Sequence, residues 1–217
     1  YQRDVRYTRR SDPAGFRRML ARHRAQIVEL LTRYGPVDQL SLDMSFPAAE
    51  LGIRKDLLDT IRLARRLQPH LLIRNRGIGP YGDYTTPERT VPQLHHKIPG
   101  PADGLPWKVI YPGSRHFSHV WGDAYQSADW ILGNLVDTIA KGGNFQVGYG
   151  PGPDGRFDPH IVRTLEKVGD WLRIHGSAVY GTRAHTPWRE GESIRFTQSR
   201  DGRWVNVFLK DWPVRPP

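Results

Sequence analysis

The chain has no cysteine among its 217 residues. Disulfide frameworks and thiolate-bound metals are thereby excluded, and the cysteine count carries no redox information. Long apolar runs are absent as well. No stretch approaches the roughly 20 residues a helix needs to cross a bilayer, and the first residues do not resemble a signal peptide, so no membrane partner is expected. The chain begins at Tyr1 rather than Met, as expected of a missing or processed N-terminus. Acidic charge is in short supply: 22 Asp and Glu face 32 Lys and Arg, for a net charge of +10. Such a balance invites a nucleic-acid reading. Its cations, however, are mostly Arg and spread along the chain, densest between Arg3 and Arg24 on and before an amphipathic stretch. A solvated helix face accounts for them, and no binding motif accompanies the charge, so no nucleic-acid partner is expected.

What is present suffices for a core. Hydrophobic residues make up 38% of the chain, with seven Trp, nine Tyr and seven Phe, which argues against disorder. Ser11-Asp12-Pro13 is an N-cap followed by proline at the first helical position. Phe16, Leu20, His23, Ile27, Leu30 and Leu31 then recur at three- and four-residue steps, predicting a helix over about 13–34. Tyr34-Gly35-Pro36 stops it, and Val37 to Leu42 reads as a buried strand ending on Asp43. Leu57, Leu58, Ile61, Ala64 and Leu67 mark a second helix, and Leu71 to Ile73 a second strand with Arg74-Asn75-Arg76 at its exit.

A proline- and glycine-rich stretch from Gly77 to about Leu105 reads as a functional loop, since its centre, Gly82 to Glu88, is aromatic and acidic. Trp107–Tyr111 and Asn144–Tyr149 are further strand candidates. Helices are predicted over about 127–141, with Ala128, Ile131, Leu132, Leu135, Val136 and Ile139 inward, and over 159–174, with Leu165, Val168 and Leu172 inward. Helix and strand thus alternate at the pace of parallel βα units. After Gly176 the pattern changes. Ile194–Gln198 and Trp204–Leu209 alternate around Asp201-Gly202 as a β-hairpin, the opening of an antiparallel module. About four strands precede this change, too few to close an eight-stranded barrel, so both ends read as cut.

Three side chains stand out by position: Asp43 at a strand tip, Arg76 at the next, and Glu88 in the long loop. Strand tips and loops on one rim of a barrel converge in space. A carboxylate pair there suits glycoside hydrolysis, one group attacking the sugar carbon and the other, kept protonated, giving a proton to the leaving oxygen. An arginine beside the nucleophile keeps it ionised and can hydrogen-bond sugar oxygens. The plainer alternatives are an Asp43 that caps the next turn and a Glu88 that is an ordinary surface residue.

Five segments in order carry a resemblance to a known family. They are Tyr34-Gly35-Pro36-Val37-Asp38 leading to Leu42-Asp43-Met44-Ser45-Phe46-Pro47; Gly82-Asp83-Tyr84-Thr85-Thr86-Pro87-Glu88; Lys141-Gly142-Gly143-Asn144; Gly150-Pro151 with Asp154-Gly155; and Gly169-Asp170-Trp171-Leu172 followed by Gly176 and Ala178-Val179-Tyr180-Gly181-Thr182. Together they resemble the α-L-fucosidases of glycoside hydrolase family 29 over almost the whole chain.

The resemblance implies an α/β fold in two parts. Residues 1–176 would be the second half of a (β/α)8 TIM barrel, and residues 177–217 the first strands of a C-terminal antiparallel β-sandwich. It implies a retaining exo-glycosidase that hydrolyses terminal α-L-fucose by double displacement, with no cofactor and no metal. Asp43 would be the nucleophile and Glu88 the general acid/base, their carboxyl groups about 5–6 Å apart. Arg76, Trp121 and Phe46 would contact the sugar, Trp121 facing its methyl group; ordinary core packing is the alternative for Trp121. The partner would be a fucosylated oligosaccharide or glycoconjugate, with the N-terminal half of the barrel supplied by the same or another chain; an oligomer is compatible with this.

Two positions depart from the pattern. Ser41 stands where the family usually has Trp, and Gln146-Val147-Gly148 breaks a run that usually carries a second Asn. A non-catalytic fucose-binding relative is therefore the alternative reading. Two further signals are set aside. Gly150 to Gly155 satisfies G-x-G-x-x-G, but two prolines and an Asp remove donors and repel phosphate. His95-His96 are adjacent, so their side chains point apart and do not suggest a metal site.

Overall fold

The computed structural model describes residues 11–43, 54–76, 78–90 and 105–210, so Phe46, His95 and His96 lie outside the described residues. The chain divides into two compact units, Tyr1–Thr85 and Thr86–Pro217.

The first unit is built on two helices and a parallel strand pair. Helix α1, Pro13–Arg33, starts where Asp12 Oδ1 accepts a hydrogen bond from the Gly15 amide at 2.8 Å. Strand β1, Gln39–Leu40, is followed by helix α2, Arg54–Leu67, and strand β2, Leu72–Ile73. The two strands run parallel, Gln39 opposite Leu72 and Leu40 opposite Ile73. Ile27 and Leu31 of α1, Leu57, Ile61 and Ala64 of α2, and Leu42, Leu71, Ile73 and Ile78 close into one core. The buried Gln68 side chain staples it. Its amide donates to Leu31 O at 2.8 Å and Gly35 O at 3.0 Å, while its oxygen accepts from Val37 N at 2.7 Å. Gly35, at φ +83°, gives the left-handed turn that brings the chain back to it.

The second unit holds strand β3, Lys108–Pro112, helix α3, Ala128–Ala140, strand β4, Asn144–Gly148, and helix α4, Pro159–His175. Strands β3 and β4 are parallel over five residues, Lys108 opposite Asn144 through Pro112 opposite Gly148. Beyond α4, strands β5 (Thr182–Glu190), β6 (Ile194–Ser199) and β7 (Val205–Leu209) form an antiparallel sheet in that order.

The Lys141-Gly142-Gly143-Asn144 segment has a structural explanation. Gly142, at φ +79°, ends α3. A Cβ on Gly143 would meet the Trp107 indole at 2.3 Å, so only glycine lets that ring close over β4. Lys141 Nζ donates to Asp137 Oδ2 at 2.6 Å, and Arg195 Nε of β6 donates to Asp137 Oδ1 at 2.7 Å, fastening α3 to the antiparallel sheet. Desolvation pushes the Asp137 carboxyl upward, but these two cations outweigh it and hold it below its usual range.

Differences from the sequence reading are local. Strand β1 spans two residues rather than six. Leu30, Leu67 and Leu165 are exposed, and Thr60, Thr138 and Thr164 take buried positions on their helices. For Thr60 the hydroxyl bonds back to its own helix, to Asp56 O at 2.9 Å. Strand β5 was not foreseen: Thr182–Glu190 has no apolar alternation, and Pro187 falls within the register shift between Ala184 and Arg189.

Replacing Gln68 by Leu strips three backbone groups of their partner at one stroke. We expect the Gln68→Leu protein to lose about 2–4 kcal/mol in urea unfolding; a loss below about 1 kcal/mol would show that the staple is dispensable.

Candidate active site

Because Leu40 and Ile73 are paired in a parallel register, the residues leaving β1 and β2 emerge on the same edge. Asp43 follows the first strand and Arg74-Asn75-Arg76 the second. Arg76 Nη1 donates to Asp43 Oδ1 at 2.5 Å, so two of the residues picked from sequence meet directly. The Asp43 side chain is otherwise open, 79% exposed. A second cation, Arg74, was not singled out from sequence. Its Nη1 lies 3.6 Å from the same Asp43 oxygen and donates to Ser41 Oγ at 3.3 Å, from a side chain only 4% exposed. The signal was its place as the first residue past β2, which the neighbouring Arg76 overshadowed.

The Gly82-Asp83-Tyr84 motif builds the wall behind this pair. A Cβ on Gly82 would meet Asn75 Cα at 2.3 Å, so glycine lets the two segments touch. Asp83 Oδ2 accepts from Ile73 N at 2.7 Å and from Arg65 Nη2 at 2.9 Å, which makes this carboxylate a fastener rather than a reactant. Tyr84 then pairs with Arg74 as a parallel bridge. Burial raises the Tyr84 phenol above its usual value, opposed by the nearby Ser41 hydroxyl and by the Arg74 charge.

In the second unit, Glu88 pairs in parallel with Ile110: Ile110 N donates to Pro87 O and Arg89 N to Ile110 O, both at 3.0 Å. Trp107, Val109 and Tyr111 point to the helix side, where Tyr111 meets Trp130 of α3 edge-on at 5.1 Å. Glu88 shares the register of Ile110 and therefore takes the opposite face, where it is exposed. The chain turns away at once, through Arg89 at φ +59°.

Trp121 is 79% exposed in this chain, and its ring stands edge-on to His119 at 4.8 Å. Gly150, in the Gly150-Pro151 motif, lies so close to this segment that a Cβ would sit 2.2 Å from His119 N. Asp123, two residues after Trp121, anchors the turn. Its carboxylate, 3% exposed, contacts His116 Nδ1 at 3.0 Å and accepts from Ala124 N at 3.0 Å. Desolvation pushes this carboxyl upward, but its hydrogen bonds prevail and lower it to about 2.

Parallel βα pieces with charged side chains gathered past the strand tips are the arrangement of barrel enzymes. The chain belongs to the alpha-L-fucosidase family, whose description matches residues 2–177. It is 38% identical over 130 residues to an alpha-L-fucosidase of Dictyostelium discoideum, covering 48% of this chain and 28% of that protein. Among solved structures it resembles alpha-L-fucosidase isoenzyme 1 from Paenibacillus thiaminolyticus, at 29% identity and a TM-score of 0.77 over 85% of this chain and 45% of the other. It also shares the fold of a GH29 alpha-L-fucosidase from Bacteroides thetaiotaomicron, a trapped covalent intermediate with 2-fluoro-fucosyl fluoride, at 20% identity and a TM-score of 0.79 over 93% of this chain and 49% of the other. The chain thus spans less than half the length of each of these relatives.

The lowered carboxyl of Asp123 fixes a sign. Its folded value lies below the ordinary 3.8, so its contribution to stability is complete above about pH 4 and is lost as pH falls through about 2. Melting curves of the protein and of Asp123→Asn should differ at pH 5 and converge by about pH 2; a gap that stays constant over that range would refute the assignment.

Proposed function

We propose that this protein is a retaining exo-glycosidase that releases terminal α-L-fucose from fucosylated oligosaccharides or glycoconjugates. The observation that carries this reading is the exposed Asp43 carboxylate clasped by Arg76 beside the tips of two parallel strands. A nucleophile needs a cation beside it and one side open to the sugar, and Asp43 has both. The family membership supplies the substrate class, and the trapped covalent intermediate described for the Bacteroides relative supports double displacement.

In this mechanism Asp43 attacks the anomeric carbon while Glu88 protonates the departing oxygen. Glu88, now a carboxylate, then takes a proton from the water that cleaves the ester. Its sheet-edge position, away from the face packed on α3, suits a group that must meet substrate. Trp121, exposed and braced by His119, offers an aromatic face for the apolar side of a deoxy sugar. Arg76, besides holding Asp43, has the fork of donors to contact sugar hydroxyls, and Phe46 is assigned to the same sugar. Residues 1–176 would form the second half of a (β/α)8 barrel and residues 177–217 the start of a β-sandwich, the front of the barrel coming from the same or another chain.

A fucose-binding relative without turnover is the second reading, favoured by Ser41 in place of the usual Trp.

Hydrolysis of 4-nitrophenyl α-L-fucoside by protein that includes the N-terminal half of the barrel separates the two. Turnover with initial release of the α-anomer is expected. Asp43→Ala should abolish it, with partial rescue by azide, and Glu88→Ala should slow it by roughly 10²–10⁴-fold. Fucose binding without hydrolysis would favour the second reading, and unchanged turnover in Asp43→Ala would end the nucleophile assignment.

A further inference from the structure

We infer that Arg74 is a positioning residue that selects which oxygen of Asp43 reacts, an inference that rests on the nucleophile role proposed above. The two arginines do not share the carboxylate between its oxygens. Arg76 Nη1 lies 2.5 Å and Arg74 Nη1 3.6 Å from Oδ1, while among the described residues Oδ2 accepts no hydrogen bond. One oxygen lies against both cations, and the Asp43 side chain is otherwise 79% exposed.

The two cations differ in kind. Arg76 is partly exposed and follows the strand end, and an ion pair between exposed groups holds a side chain only loosely. Arg74 is fixed. Its amide donates to Leu40 O at 3.0 Å, it is bridged to Tyr84 on the other side, and its guanidinium is buried against Ser41 Oγ at 3.3 Å. Ser41, Arg74 and Asp43 form one relay at the strand tip.

The relay gives the unusual Ser41 a purpose. An indole N–H only donates and cannot accept from a cation, whereas a serine hydroxyl donates and accepts. With serine at 41, the guanidinium has an acceptor that orients it toward Oδ1. In the first half-reaction, Oδ2 forms the bond to the anomeric carbon. The glycosidic C–O bond breaks toward the leaving oxygen, which takes the proton from Glu88. Oδ1, carbonyl-like in the ester, stays under both guanidinium groups.

The test uses Arg74→Met and Arg74→Lys in protein containing the whole barrel. Covalent labelling by 2-fluoro-fucosyl fluoride is followed by intact mass, affinity for a fucose-like iminosugar by calorimetry, and the Asp43 carboxylate by crystallography. Arg74→Met should slow labelling roughly 10–100-fold, as misplacement of a reacting group does. Iminosugar affinity should fall far less, Asp43 should take a new rotamer, and Arg74→Lys should recover part of the rate. Equal losses of labelling and affinity, or an Asp43 that keeps its rotamer in Arg74→Met, would overturn the inference. If the wild-type protein does not label at all, the fucosidase reading falls, and the crystallographic comparison alone then decides whether Arg74 positions Asp43.

Discussion

A parallel pairing only two residues long places the charged side chains of the first unit. Leu40 opposite Ile73 sets Asp43 and Arg76 side by side past the strand tips, although they are remote in sequence. Had the register slipped by one residue, the faces would exchange and the carboxylate would lose its cations. So short a ladder cannot hold that register by its own hydrogen bonds. It is held from below by Ile73 and Leu71 in the core, from the side by Gln68, and from above by Asp83 clamped to Ile73 N and Arg65.

Most of the recognisable motif residues prove to be fasteners rather than reactants. Gly82 and Gly143 are glycine because a neighbouring backbone or ring occupies the place of a Cβ. Asp83 and Asp137 are carboxylates because buried cations and amides require an acceptor there. Among the described residues, the groups assigned to chemistry (Asp43, Glu88 and Trp121) are instead exposed at the ends of these braced segments. A motif therefore marks where the backbone must be rigid, and the side chains proposed to react are set at its edge.

The second unit carries its own brace. Asp137 joins Lys141 and Arg195, and both cations lie about 5 Å from the Trp188 ring, tying the last turn of α3 to strands β5 and β6. A half-buried carboxylate flanked by two buried cations holds best while both remain, so helix and sheet are expected to loosen together. The same helix seats Trp130 against Tyr111 of β3, and so steadies the strand on which Glu88 is paired.

Helix positions, the parallel βα rhythm and the hairpin at Asp201-Gly202 were legible in the sequence, because apolar spacing, caps and turn residues act over a few neighbours. Asp43, Glu88, Arg76 and Trp121 could be named from motif and strand-end position. The sequence could not disclose Arg74 or the His116–Asp123 contact, because a charged residue near a strand end looks the same whether buried or free. Strand β5 was hidden for a related reason: Thr182–Glu190 has no alternation of its own and becomes a strand only because β6 offers it a ladder. Local pattern fixes which segments are helical or extended. Which charge is buried beside which carboxylate depends on register and close approach between distant segments, and only the tertiary structure decides that.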